Sequence, residues 1–281
     1  MANKFSINNT ILPKNTCEVL AKYVGNTPAK IDNFSLQLNK CANFFQGKDT
    51  LIKRTFDGRE KIKPYLYKNN KNTIEFALSP TFNPEYLDKA KSDLRKARNI
   101  CAKQECINNL TLPWRLAIGM GNASVFENSI TLHHVYGFPY LPASSIKGIA
   151  NHWAQDQKYN TTESGIYTDI FGSDKQEGKV IFFDAYPKAL KDGFDSSSSI
   201  QPDIINNHYQ EYYNGDKPPA DWQSPIPVFF LTVKNTSFEF YLGVKNEKDA
   251  TLLADAKDWL TRALIEHGIG AKTAVGYGYF Q

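Results

Sequence analysis

The sequence is poor in several features that would quickly narrow its reading. It has four cysteines in 281 residues, at positions 17, 41, 101 and 106. They form no even, short-spaced framework. That argues against a small disulfide-stapled fold and for a reduced, cytoplasmic protein. No apolar stretch reaches about 18 residues, so no membrane span and no membrane partner are expected. The opening "MANKFSINNT" lacks the apolar run of a secretory signal. No Ser-His-Asp or Cys-His grouping stands out. No catalytic residue, cofactor or metal site is therefore expected.

Apolar residues make up 41% of the chain, enough for a folded globular protein with a sizeable core. The net charge of +4 is unevenly spread. Residues 1–111 carry 19 Lys plus Arg against 10 Asp plus Glu, a net of +9, and the remainder carries 14 against 19, a net of −5. A basic first segment suits contact with a polyanion, and equally a solvated basic surface.

The pattern divides the chain near residue 110. Residues 1–110 read as a basic, partly helical N-terminal extension. Within it, Asn83 and Pro84 open a helix over about 84–105, with Leu87, Ala90, Leu94, Ala97 and Cys101 along one side and basic residues elsewhere. From 111 to 281 the order is strand (112–121), aromatic loop (125–145), helix from about 145 to 155, and strand (179–187). A loop-like insertion over 188–227 follows. Next come strands at 228–233 and 237–244 that read as a hairpin, a helix over about 248–266, and a last strand, "AVGYGYF". This order predicts an α+β, ferredoxin-like or RRM-like βαββαβ unit. Two helices cover one face of its antiparallel sheet and the other face is free to bind, as in RNA-recognition modules.

Two stretches carry the candidate chemistry. "GIGAKTAVGYGYF" (268–280) superficially suggests a phosphate loop, but Ala271 precedes Lys272 and a strand is expected after the loop where a Walker loop needs a helix. Gly268 fits a helix stop. Gly270, Lys272 and Thr273 make a cationic turn rich in N–H donors, suited to a phosphate. Gly276 and Gly278 alternate with Tyr277, leaving one face of bare backbone, which suits either RNA contact or close strand packing. In "LPASSIKGIANHW", Ser144 is placed to cap a helix, Ser145 adds a hydroxyl, and Lys147 stands in the first turn. The helix dipole disfavours a cation there, unless an anion binds alongside.

These residues carry a resemblance. "YGFPYLPASSIKGIANHWA" and "GIGAKTAVGYGYF" resemble the helix-entry motif and the C-terminal glycine-rich loop of the RAMP superfamily, the RNA-binding subunits of CRISPR systems. With "VIFFDAYP", "NNHYQEYYNG" and "DWQSPIPVFFLTV", the set over about 112–281 resembles the sixth-subunit family of the Cmr-type (type III-B) RNA-guided effector. One departure is Ala143, where many relatives have glycine. The resemblance implies a ferredoxin-like RAMP fold and a non-catalytic structural role in antiviral defence. It implies that the chain holds the CRISPR guide RNA toward its 3′ end, with the paired target RNA. The implied neighbours are the repeated backbone subunit and another RAMP capping subunit of the Cmr complex.

Arg115, Lys147 and Lys272 are the expected phosphate contacts. His133 and His134 sit in the aromatic loop. They suit RNA contact, packing, or metal-independent cleavage of guide precursor by a general base. Glu127 is the nearest acid, but adjacent histidines on a strand point to opposite faces, which argues against a shared metal. Asp184 reads as a turn or cap, and His152 as packing or surface. The insertion, with Tyr209, Tyr212, Tyr213 and Trp222, either wedges against an RNA duplex or a neighbour, or packs on its own domain.

Overall fold

The structure is a computed structural model. It describes residues 13–24 and 31–40, four short strands between 53 and 76, and the chain from 80 onward except 81, 162–164, 189–198, 208, 221 and 223–225. In chain order the elements are α1 (Lys14–Val24), α2 (Phe34–Lys40), β1 (Lys53–Phe56), β2 (Arg59–Ile62), β3 (Tyr67–Asn70), β4 (Thr73–Phe76), α3 (Pro84–Arg98), β5 (Lys103–Ile107), α4 (Ala143–Asp156), α5 (Ile166–Phe171), β6 (Gly172–Ser173), β7 (Gln176–Glu177), β8 (Val180–Phe182), β9 (Tyr186–Pro187), β10 (Ile200–Asn207), α6 (Gln210–Tyr213), β11 (Ile226–Val233), β12 (Phe238–Val244) and α7 (Leu252–Glu266). The chain is thus α+β, with small antiparallel sheets.

The central sheet has the order β5-β12-β8, with β9 also paired to β12. Residues alternate across a strand, and β12 shows it: Phe238, Phe240, Leu242 and Val244 are buried in the main core, while Glu239 and Tyr241 are only partly so. That core includes Ile146, Ala150 and Trp153 of α4 and Leu253, Ala256, Leu260 and Leu264 of α7. The apolar spacing in both helices is therefore borne out. Trp153 Nε1 also donates to Glu266 Oε2 at 2.7 Å, tying the two helices directly.

The sequence reading leaves the other face of this sheet free to bind; in the structure it is not free. Helix α3 covers it. Lys91 pairs with Glu239 at 2.8 Å, and the Arg98 guanidinium lies 3.5 Å from the centroid of the Tyr241 ring. Part of the basic helix is thereby committed to its own domain. A polar, aromatic stripe on β12 draws cationic side chains by charge and by ring quadrupole.

Helix α3 ends at Arg98, before the predicted boundary near 105. Its N-terminus follows the sequence signal, with the Asn83 side chain accepting from Glu85 N–H and Pro84 in the first turn. Cys106 consequently lies on β5 and Cys101 in the turn before it. Strand β5 falls on the N-terminal side of the division at 110, yet it is hydrogen-bonded into the central sheet along β12.

Three further expectations are corrected. Strands β11 and β12 do not pair as a hairpin. Asn235 takes φ 50° in the short turn between them, and the chain passes from one sheet to another. Strand β11 pairs instead with β10 along its whole length. That partner comes from the stretch read as loop, so part of "DSSSSIQPD" is strand, with Ser199 and Ile200 buried. Finally, "AVGYGYF" is not a pleated strand. A 3₁₀ turn spans Thr273–Val275, and Gly276 and Gly278 take φ 96° and 77°. The chain end is fixed by scattered bonds: Gly278 N–H to Arg115 C=O, Phe280 N–H to Leu264 C=O, and a reciprocal pair between Thr111 and Gln281.

Candidate nucleic-acid interface

The two motifs, more than a hundred residues apart in sequence, line one cleft of about 490 Å³. One wall is α4, through Ser145, Gly148, Ile149 and His152. The opposite wall is Gly268–Ala271 with Thr273, and the floor is the Gly119–Met120–Gly121 turn. The loop is held by Ala271 N–H donating to Ala117 C=O at 2.7 Å and Ile269 N–H donating to Gly278 C=O at 2.9 Å. Gly270 is required by packing: at φ 99° a side chain is strained, and a Cβ would run into the Ala117 carbonyl.

Among the described residues, the N–H groups of Gly270 and Lys272 make no internal hydrogen bond, nor does that of Ser144. Ser144 and Ser145 are exposed, and Lys147, Lys272 and Thr273 are half-buried. Ser145, Gly270 and Thr273 line the cleft, and Ser144, Lys147 and Lys272 are within two residues of them in sequence; such N–H groups and hydroxyls can receive an anion without reading its identity. Lys272 is in the left-handed region at φ 62°, and its Nζ lies 5.9 Å from the Phe230 ring centroid.

The α4 entry differs from the expectation in one respect. Helix α4 starts at Ala143 after Pro142, so Ser144 is inside the first turn and makes no cap bond. The cap comes from elsewhere in the chain. Asp184 Oδ1 accepts from Ala143 N–H at 2.7 Å, which accords with the cap role read for Asp184. A carboxylate thus already occupies the first donor of this helix, and an incoming anion would have to use the Ser144 N–H and the hydroxyls beside it.

Arg115 and Tyr277 are turned to an internal task. Arg115 Nη1 donates to Pro202 C=O at 2.6 Å and pairs with Asp203 Oδ2 at 3.0 Å. Tyr277 is buried, and its hydroxyl donates to the same Oδ2 at 2.7 Å. Burial, with Asp203 beside it, pushes the Tyr277 phenol up to about 12. Trp114 lies over this ring at 4.6 Å between centroids and keeps 45% of its surface exposed.

The paired histidines part company. His133 is packed among Tyr136, Phe138, Tyr140 and Tyr186. Its Nδ1 accepts from the N–H groups of Val135 and Tyr136, both at 3.3 Å, so the neutral ring carries its proton on Nε2. Burial holds its pKa below the usual imidazole value, against the pull of Asp184. His134 is exposed. In this arrangement His133 organises its loop, which also receives the N-terminal segment: Asn33 Nδ2 donates to Val135 C=O at 2.6 Å.

Sequence reasoning missed one constellation. His152, Asp156 and His267 converge at the ends of α4 and α7, with a ligand atom from each within 4.8 Å of the other two. The only sequence signal was the four-residue spacing of His152 and Asp156 on one helix face.

The chain is 33% identical to the Cmr6 subunit of the CRISPR system Cmr of Pyrococcus furiosus, the match covering 58% of this chain and 64% of that protein. It is 29% identical to the Cmr6 subunit of Saccharolobus solfataricus, covering 70% of this chain and 63% of that one. The matches therefore span just under two thirds of those relatives' lengths. Among solved structures, it resembles a chain of the type III-B Cmr-β complex bound to cognate target RNA, with a TM-score of 0.51, 29% identity, and coverage of 70% of this chain and 63% of that one. The RAMP superfamily model matches residues 110–281, the stretch that holds both walls of the cleft, and the chain belongs to that superfamily.

Proposed function

We propose that this chain is a non-catalytic, RNA-binding structural subunit of a type III-B (Cmr) CRISPR effector in the cytoplasm. It holds the guide RNA toward its 3′ end together with the paired target RNA, beside the repeated backbone subunit and another RAMP capping subunit. The observation that carries this reading is the cleft lined by both the α4 entry and the glycine-rich loop, with Ser145 and Thr273 and the open Gly270 N–H at it. Backbone N–H groups and hydroxyls position a sugar-phosphate chain and leave its bases unread, as a guide of variable sequence requires. The central sheet, with α4 and α7 packed on one face, supports a ferredoxin-like core. Beyond it, Tyr212, Tyr213 and Trp222 lie exposed between β10 and β11 and present rings on which bases can stack.

The test is RNA binding by the full chain across a range of salt concentrations. The double variant Lys147→Ala, Lys272→Ala is expected to bind more weakly. Its log–log salt slope should flatten by about one to two phosphate contacts. An unchanged slope and affinity would remove the assignment. Repeat RNA incubated with the protein in EDTA is expected to stay intact. Cleavage that disappears in His133→Ala, His134→Ala would instead establish a ribonuclease.

A further inference from the structure

The clustered side chains at the ends of α4 and α7 have a chemistry that RNA holding does not use. His152 and Asp156 lie four residues apart near the C-terminal end of α4. His267 is the C-cap of α7, immediately before the glycine-rich loop. The Nδ1 atoms of the two histidines face each other at 3.3 Å. Two imidazole nitrogens at that distance cannot both be donors or both be bare lone pairs; a proton or a cation must stand between them. Asp156 Oδ2 completes the group, 3.7 Å from His152 Nδ1 and 3.5 Å from His267 Nε2. A tetrahedral ion with bonds of about 2.1 Å places its ligand atoms about 3.4 Å apart. Each imidazole offers one nitrogen to an ion, and one ligand atom from each of the three residues lies within 4.8 Å of the other two, a span that small side-chain rotations bring to that spacing.

The surroundings favour positive charge. The C-termini of two helices converge here, each carrying a partial negative charge, and neither has a Lys or Arg in its last turn. Glu266, bonded to Trp153, adds a further carboxylate at the end of α7. The ligand set of two imidazoles and one carboxylate suits a borderline divalent ion such as Zn²⁺, Co²⁺ or Ni²⁺. Mg²⁺ and Ca²⁺ prefer all-oxygen shells.

We propose that His152, Asp156 and His267 form a transition-metal site that clamps α4 to α7. Three protein ligands leave a coordination position for water or another ligand. His152 also lines the cleft, so the bound ion sits at the cleft wall and anchors the residue from which the glycine-rich loop departs. Ion binding is a property of the protein alone, and its test is independent of the RNA reading.

The experiment is titration of the metal-free full chain with Co²⁺, followed by visible absorption and then by displacement with Zn²⁺. One equivalent is expected to give a ligand-field band that Zn²⁺ abolishes and Mg²⁺ does not. His152→Ala, His267→Ala and Asp156→Asn should each weaken binding about tenfold or more, while His134→Ala should leave it unchanged. These side chains are partly exposed, so the variants are expected to fold, and far-ultraviolet circular dichroism checks that. Absence of the band, its persistence in a His152→Ala, His267→Ala double variant, or equal displacement by Mg²⁺ would overturn the proposal.

Discussion

Tyr277 donates its hydroxyl proton to Asp203 at 2.7 Å, and that bond fastens the glycine-rich loop to β10. Arg115, from the segment before α4, reaches the same carboxylate oxygen. Removing the hydroxyl leaves a half-buried carboxylate with one partner fewer. Tyr277→Phe is expected to lower unfolding free energy by about 1–3 kcal/mol, read as a shift in the urea midpoint with an unchanged slope. Asp203→Ala should cost at least as much, because it strands both the hydroxyl and the guanidinium.

Alkaline pH probes the same bond. The phenols of Tyr186, Tyr241 and Tyr277 are each pushed up from 10.0 to about 12, in every case first by burial. Their folded-state pKa values lie above the unfolded one. Their stabilising contribution is therefore complete below pH 10 and is lost as pH rises toward 12. Thermal melting followed between pH 8 and pH 11 is expected to stay flat at first and then fall. Tyr277→Phe should fall less steeply, and an equal fall would contradict the assignment.

Asp184 caps α4 from outside the helix, through its bond to Ala143 N–H. Asp184→Ala is expected to cost about 0.5–2 kcal/mol in chemical denaturation. Asp184→Asn should recover most of the hydrogen bond but not the charge. If this carboxylate competes with RNA for the donors of the α4 entry, Asp184→Asn should bind RNA more tightly despite its lower stability.

Two glycines of the cleft separate folding from access. Gly270→Ala places a Cβ against the Ala117 carbonyl at positive φ, and should destabilise the chain by about 1–3 kcal/mol. Gly148 is helical and a Cβ there meets nothing within 4 Å. Gly148→Ala should therefore stabilise the protein by up to about 1 kcal/mol. Its effect on RNA affinity, measured by filter binding, then reports on the width of the cleft alone.

The helices were legible in the sequence and much of the sheet was not. Apolar spacing located the bodies of α3, α4 and α7, because each buries a stripe set by its own local period. Strand partners are chosen over long separations. Nothing local to Lys234–Thr236 distinguishes a hairpin turn from a crossing between sheets, and the pairing of β11 with Ile200–Asn207 decided it. The glycine alternation at the chain end misled for a different reason: Gly276 and Gly278 serve positive φ rather than a bare strand face. The two walls of the cleft could be named from residue chemistry. That Arg115 and Tyr277 serve Asp203 could not, since the carboxylate lies within a stretch read as loop.

The covering of the central sheet by α3 and its extension by β5 have a consequence for the superfamily match, which begins at residue 110. A fragment trimmed to that boundary would lose Lys103–Ile107 and leave the Phe240–Val244 margin of β12 without its paired strand. It would also bare Glu239 and Tyr241, which α3 shields. Such a fragment is poised for strand-to-strand self-association, so the basic leading segment acts as a built-in guard against aggregation.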